Sequence, residues 1–480
     1  MRARIDGGQL KILSDDEVES LHLGVLNILK DIGVRIEHEG ALKLLDQAGA
    51  DVDFGKKVVK LPEHLVNEAI AKTPKDVTFY GRDPDQSFEV RGGKGVYFGE
   101  CAGNPHITNE NDQRKHGELA DMGKVARLAD ALPNIDFVMG LTSASDVPTG
   151  ALDLYEQFAV MSNTQKHVQI FVYNGGAEMT KAQIELAALL SGGEEELRKR
   201  PTVTFYIEPV SPLVVGEGYV DALIECAKLK LPMIFASVPV SSATCPATLA
   251  GSIVQGVAES LIGDVIGQLI NPGTPFILGP VSTIMEMKRG MSIYTSIEAM
   301  MMQVMIAQLL RYYRIPSWGT AGMTDSKILD EQATAEAAMG LTISALSGNN
   351  IIHDLAFLES AKGGSMALLA IADEIVGMLR RFMKGARIDD ETLALDAIKS
   401  AGFGGSFLTL KHTLNTYSKE HIPADLFDRL PWDEWERTGS KSLKERAQEK
   451  VQGILREHEV EPLQEGVGEK AKEIIRRFES

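Results

Sequence analysis

The chain is poor in cysteine, in positive charge and in aromatic side chains, and each shortage excludes something. Only Cys101, Cys226 and Cys245 occur in 480 residues, far apart and outside any Cys-x-x-Cys or His-x-x-x-His spacing. No disulfide framework is expected, and no zinc signature is present. Lysine and arginine number 49 against 67 aspartates and glutamates, a net charge of −18, which disfavours nucleic acid or an anionic membrane surface as partner. No uncharged apolar run reaches the roughly 18 residues that a membrane span needs. The N-terminus mixes Arg2, Arg4 and Asp6 and has no apolar signal segment, so a cytoplasmic location is expected.

The remainder is an ordinary globular balance, 44% hydrophobic and 24% charged. Residues 15–50 read as two short amphipathic helices, with Asp15 and Asp16 at a helix start and Gly33 and Gly49 as stops. From Val77 to about Ile107, short alternating stretches separated by Asp-Pro and Gly-Gly turns read as a β-meander. A helical segment near 116–131 follows. Short apolar runs then begin near Phe137, Val168, Thr202, Met233, Pro275, Ile315 and Asn349, with stretches of helical period between most of them. Gaps of roughly 30–40 residues between continuous apolar strands are what βα units require.

The expected fold is therefore α/β, a TIM (β/α)8 barrel over 116–430. The expected N-terminal extension of helices and meander covers 1–115, and the expected C-terminal helical appendage covers 431–480. Gly402–Leu408 is the best candidate for the eighth strand. A doubly wound open sheet is the alternative, disfavoured because no strand is followed by Gly-x-Gly-x-x-Gly.

In a barrel the active site lies at the C-terminal ends of the strands. One run ends in Phe171, Tyr173 and Asn174, the next in Phe205, Tyr206 and Glu208. Later runs end at Ser237, at Trp318-Gly319-Thr320, and at His353-Asp354 with Phe357 beyond. Tyr97 and Phe98 lie before the repeat, where they could cover the mouth. Aromatic faces with acids nearby suit a quaternary ammonium, which cannot donate a hydrogen bond and is held by cation–π attraction. Each aromatic taken alone is equally a core filler. His353, at a strand end beside Asp354, is the candidate catalytic residue. Arg311 and Arg314 could fork onto a substrate carboxylate, although they precede their strand. Asp325, Ser326 and Gln332, at the start of a helix, either cap it or contact a cofactor. Lys327 in that loop reads as solvated. Methionines at 285, 287, 291, 300, 301, 302 and 305 read as adaptable core or subunit-contact packing.

Several stretches resemble the corrinoid-dependent trimethylamine methyltransferase family. They are Cys-Pro-Ala-Thr-Leu-Ala-Gly at 245–251 with Gln255 and Glu259, and Asn-Pro-Gly-Thr-Pro-Phe-Ile-Leu-Gly at 271–279. Most specific is Gly-Met-Thr-Asp-Ser-Lys-Ile-Leu-Asp-Glu-Gln-Ala at 322–333 with Glu336. Gly348-Asn349, Asp373-Glu374, Phe407-Leu408-Thr409 and His412 continue the pattern. The resemblance implies a TIM barrel whose mouth docks a separate corrinoid (cobalamin) protein that takes the methyl group. All 480 residues are standard, so the resemblance points to the branch without pyrrolysine, similar to glycine betaine methyltransferase, with no metal bound directly. Tyr97, Phe98, Phe205, Tyr206, Trp318 and Phe357 would then form an ammonium cage, and His353 with Arg311 or Arg314 would meet an anionic end. A barrel lyase or aldolase using Lys327 or Glu208, and a non-catalytic subunit that binds the amine and docks the corrinoid protein, stay open. Self-association is plausible from the methionine patch alone.

Overall fold

In the computed structural model, which describes every residue except Ala3, Glu110, Asn174 and Ser480, eight parallel strands close into a barrel. They are β1 (Tyr97–Phe98), β2 (Phe137–Val138), β3 (His167–Phe171), β4 (Val203–Ile207), β5 (Met233–Phe235), β6 (Phe276–Leu278), β7 (Trp318–Thr320) and β8 (Ile351–His353). Neighbours from β2 to β6 pair in sequence order, as do β7 and β8. Single bridges, Leu278 to Ser317 and Gly99 to Phe137, join β6 to β7 and β1 to β2. Pairing of Ile351 with Tyr97 and of Ile352 with Phe98 closes the ring.

A helix follows each strand: α1 (Leu119–Ala131), α2 (Leu152–Ser162), α3 (Ala177–Leu190), α4 (Glu217–Lys228), α5 (Leu249–Ile270), α6 (Ile297–Tyr313), α7 (Glu331–Ser347) and α8 (Met366–Lys384). The seven expected apolar runs are β2 to β8. Two expectations need correction. The first strand is Tyr97–Phe98, so the barrel's βα units run from 97 to 384 instead of 116 to 430. Gly402–Leu408 is no strand: it lies in an exposed turn region where Phe403 and Leu408 meet solvent. Tyr97–Phe98 reads from the sequence as part of the meander, and nothing local assigns it to the barrel, because its partners lie about 40 and 250 positions away in the chain.

Closure at β1 relies on a small residue and a buried charge. A Cβ on Gly99 would lie 2.4 Å from the Phe137 ring, so only glycine lets β1 approach β2. Asp136, fully buried, accepts the Phe98 backbone N–H at 2.8 Å and pairs with Arg2 at 2.7 Å and Arg380 at 2.5 Å. Burial opposes its ionisation, but the two guanidiniums and the Phe98 N–H hold its carboxyl below the usual range.

The extensions exist because some barrel helices are apolar on their outer faces too. α5 is long and apolar enough to cross a bilayer by composition, yet it is buried nearly all round, the mark of a helix packed on both sides. Helices Asp15–Asn27 and Glu63–Lys72 cover its outer side. Asp264 on α5 accepts the Thr73 hydroxyl at 2.7 Å, and burial raises its pKa to about 6. At the C-terminus, helix Leu443–Glu457 packs against α1 and α8, and Val467–Arg476 against α2 and α3.

Replacing Asp136 with alanine strands two arginines and a backbone N–H, and should cost about 3–5 kcal/mol. Denaturant unfolding checks this; an unchanged midpoint would remove Asp136 from the closure.

Candidate active site

Side chains alternate along each strand, and the interior set at the mouth is aromatic. The ring of Trp318, first residue of β7, stacks on His353 at 3.8 Å between centroids and lies 5.2 Å from Tyr206. Phe171 meets Tyr206 edge-on at 5.0 Å, and Tyr173 meets Phe171 at 4.7 Å. A continuous aromatic wall thus runs from β3 through β4 and β7 to β8. The register pairs Thr320 with His353, so the Trp318–His353 stack is a diagonal contact between neighbouring strands. Gly319, between the two inward residues of β7, faces Asn349, where a Cβ would come within 2.5 Å.

Acidic groups line this wall. Tyr206 donates its hydroxyl to Glu208 at 3.1 Å. Burial, reinforced by the charge of Asp354, raises the Glu208 pKa to about 7. Asp354 accepts the Thr320 hydroxyl at 2.5 Å and faces His353 Nε2 at 3.2 Å. His353 Nδ1 donates to the Gly319 carbonyl at 2.8 Å, which leaves Nε2 as the acceptor of a neutral ring. Burial pulls the imidazole below its ordinary value, opposed by Asp354. The Cys101 thiol is pushed up by burial and by Asp354, Glu100 and Glu208. Tyr294 at the rim is raised likewise, by burial and by Asp354 and Glu208. Among the described residues, none of the charges that shift Glu208 is basic.

Cys101, His353 and Asp354 bring ligand atoms within 4.8 Å of one another. A neutral imidazole nitrogen facing a carboxylate has no proton to share, so this corner is also the place where a divalent cation would fit. Glu100, by contrast, is consumed by structure. Its carboxyl accepts the Met139 and Gly140 N–H groups at 2.9–3.1 Å, and burial lifts it to about 8.

Of the candidates read from the sequence, Tyr206, Glu208, Trp318 and His353 come together here. Phe357 is buried at the mouth in a hairpin with Gly363–Gly364, and among the described residues its ring meets none of the wall. Tyr97 stacks on Phe88 and donates to the Glu89 carbonyl at 2.9 Å, in the meander. Phe98 packs under Arg380 of α8, and Phe205 alternates to the helix side of β4. Arg311 and Arg314 sit at the C-terminal end of α6, at the barrel base; Arg311 is spent on the Ser347 carbonyl and Arg314 is the helix C-cap. Neither can reach the mouth, because barrel helices run opposite to their strands.

Asp325 ties three loops together, accepting from Thr295 of the β6 loop and, at 2.5 Å, from Ser360 of the β8 loop. Ser326 donates to Asp330, which caps α7 through Ala333, and Gln332 donates to Glu336 on the surface. Lys327 is exposed and donates to the Asp325 carbonyl, so it is no buried amine. Asn174 lies outside the described residues. Cys101, Tyr294 and the pairing of Asp354 with Thr320 were not found from the sequence; placing the meander strand Tyr97–Phe98 in the barrel would have put Cys101 at its mouth end.

The comparisons with known proteins bear on the family and the fold. The family described as trimethylamine methyltransferase matches residues 4–480. A trimethylamine methyltransferase of Desulfitobacterium hafniense (strain DSM 10664 / DCB-2) is 34% identical over 99% of this chain and 96% of its own. A glycine betaine methyltransferase of Desulfitobacterium hafniense (strain Y51) is 32% identical over 92% of each. Among solved structures, the monomethylamine methyltransferase of Methanosarcina barkeri superposes with a TM-score of 0.55 at 14% identity, over 94% of this chain and 89% of that one, a likeness of fold. A methyltransferase by its relatives and a closed barrel by its strands, the chain belongs to the trimethylamine methyltransferase family.

Proposed function

We propose that this enzyme moves a methyl group from a quaternary amine, glycine betaine or a related betaine, to the Co(I) of a corrinoid carried by a separate protein. The observation that carries the reading is a pair of acids, the buried Asp354 and the largely buried Glu208, set in an aromatic wall with no basic group of the described residues among the charges acting on Glu208. Buried negative charge without a counter-ion is costly, and a permanently cationic ligand removes that cost. Trp318 and Tyr206 offer π faces to the methyls. A ligand of this kind would draw Glu208 into its ionised form.

A quaternary nitrogen leaves as a neutral amine, so no acid has to protonate it. The chain's task is to desolvate the cation, hold one methyl in line with its acceptor and keep water out. The far end of a betaine is a carboxylate. Trp318 Nε1, at the start of β7, and Ser237 Oγ and Ser282 Oγ, beyond the mouth ends of β5 and β6, are buried with no hydrogen-bond partner among the described residues and are the donors we assign to it, in place of Arg311 and Arg314. The corrinoid supplies the nucleophilic cobalt. Exposed Met287, Ile297 and Ile328, on loops and a helix start beside the mouth, make an apolar rim for the protein that carries it.

A second reading rests on the Cys101–His353–Asp354 corner. A zinc ion there would serve a substrate whose leaving group needs activation. Metal analysis of the purified enzyme separates the two: the quaternary-amine reading expects no stoichiometric metal and full turnover after chelation, and loss of turnover with the metal would overturn it.

Two further outcomes are expected. Glu208 holds its proton below about pH 7 and is a carboxylate above, so affinity for the cation should rise as pH passes through that value. Calorimetric titration of the wild type and Glu208→Gln checks this; a wild-type profile as flat as the variant's would take Glu208 out of the site. Trp318→Leu keeps an apolar filling but removes the π face, and should weaken quaternary-amine binding by about 0.5–2 kcal/mol. Methyl transfer itself is followed by the absorbance of methylcobalamin with a panel of betaines, and no transfer with the corrinoid protein present would overturn the proposal.

A further inference from the structure

The pairing of β2 with β3 ends at Val138 and Val168, and the next two residues, Met139 and Gly140, give their N–H groups to Glu100 instead. β3 runs on to Phe171, and α2 packs across the gap. A cavity of about 20 Å³ is left there, lined by Asp153, Glu156, Gln157, Gln169 and Tyr173 together with apolar side chains. That is room for one particle the size of a water molecule.

The two acids stand one turn apart on α2, Asp153 3% and Glu156 4% exposed. Asp153 accepts the Tyr173 N–H at 3.2 Å through one carboxylate oxygen. Glu156 uses one oxygen for both the Ser143 hydroxyl at 2.6 Å and the Ala144 N–H at 2.7 Å. Burial raises Asp153 to about 6 and Glu156 to about 7, and among the described residues no basic group is among the charges acting on either.

Two amides complete the polar lining. Gln157 is 4% exposed, and its Nε2 is fixed on the Gln183 carbonyl at 2.8 Å, while its Oε1 has no partner among the described residues. Gln169 is 1% exposed, and neither its oxygen nor its nitrogen has a partner there. Buried amide oxygens without donors and buried carboxylates without a counter-ion each cost free energy, and here they meet at one small space.

A water molecule would serve the amides but brings no charge to the acids. Calcium takes roughly six to eight oxygen ligands and magnesium keeps several of its waters, and this space holds neither set. Potassium is close to water in size, and carbonyl oxygens replace its hydration shell. A single charge also suffices, since two buried neighbouring acids share one negative charge more readily than they hold two.

We propose that Asp153, Glu156, Gln157 and Gln169 bind a potassium ion between α2 and β3. The ion supports the mouth from behind. Asp153 holds the Tyr173 N–H, the Tyr173 ring meets Phe171, and Phe171 meets Tyr206. The β3 side of the aromatic wall therefore rests on one of the ion's ligands. An alkali ion exchanges with the buffer and is not the chelatable metal that the Cys101–His353–Asp354 corner would hold, so the two tests stay separate. Nor does the site depend on which amine is demethylated.

Thermal unfolding of the full chain in potassium chloride and in lithium chloride of equal ionic strength tests the site. Potassium should raise the midpoint saturably, by about 2 °C or more when the site is full. Lithium, too small to span the cavity, should not. Glu156→Gln keeps an acceptor for Ser143 and Ala144 but removes a charge. It should lose the potassium increment while its midpoint in lithium stays at or above that of the wild type. If that variant does not fold, Gln169→Leu should weaken the apparent affinity for potassium about tenfold. Crystals soaked in a thallium(I) salt should show an anomalous peak among the four side chains. Equal midpoints in the two salts, a folded variant that keeps the full increment, or water-sized density at the cavity without anomalous signal would each overturn the proposal.

Discussion

Everything at the mouth depends on one narrow piece of backbone, the two-residue strand Tyr97–Phe98 that closes the barrel between β8 and β2. Its pairing is too short to hold on hydrogen bonds alone, and the surrounding chain compensates. Gly99 permits the close approach, Asp136 accepts the Phe98 N–H from below, and Glu100 ties down the Met139 and Gly140 amides above. Arg2 and Arg380 reach Asp136 from the N-terminal segment and from α8. The closure thus draws on both ends of the barrel sequence. With β1 in place, Cys101 arrives beside His353 and Asp354.

The second constraint is electrostatic. Glu208 and Asp354 are packed among Trp318, Tyr206 and His353 with hydroxyl donors, from Tyr206 and Thr320, but no counter-ion at Glu208. The same low-dielectric surroundings that raise Glu208 to about 7 would strengthen its attraction for a bound cation. Asp136 shows the contrast within one molecule: fully buried, but held ionised by two guanidiniums. One carboxylate is a staple, and the others, under the proposed function, would face a bound cation.

The additions to the barrel follow from helices that bury more than one face. The N-terminal helices complete the packing of α5, and the C-terminal helices complete that of α1, α2, α3 and α8. Among the described residues, the arm at 386–424 carries helices with no buried residue and exposes several large apolar side chains.

The sequence by itself determined the seven strands with continuous apolar runs, because burial on both faces leaves a local mark. It also determined the helices between them and the residues at the ends of β4, β7 and β8. Tyr206, Glu208, Trp318 and His353 were legible because a barrel gathers whatever ends its strands. Only the tertiary structure decided the rest. Closure by Tyr97–Phe98 is a pairing with distant segments, so its local pattern reads as meander and not as barrel. The positions of Arg311 and Arg314 at the base, and of Phe98 and Phe205 toward the helices, follow from strand direction and side-chain alternation in the closed ring. The apolar stretch at 402–408 looked like a strand because hydrophobicity records that a surface is to be covered, not by what.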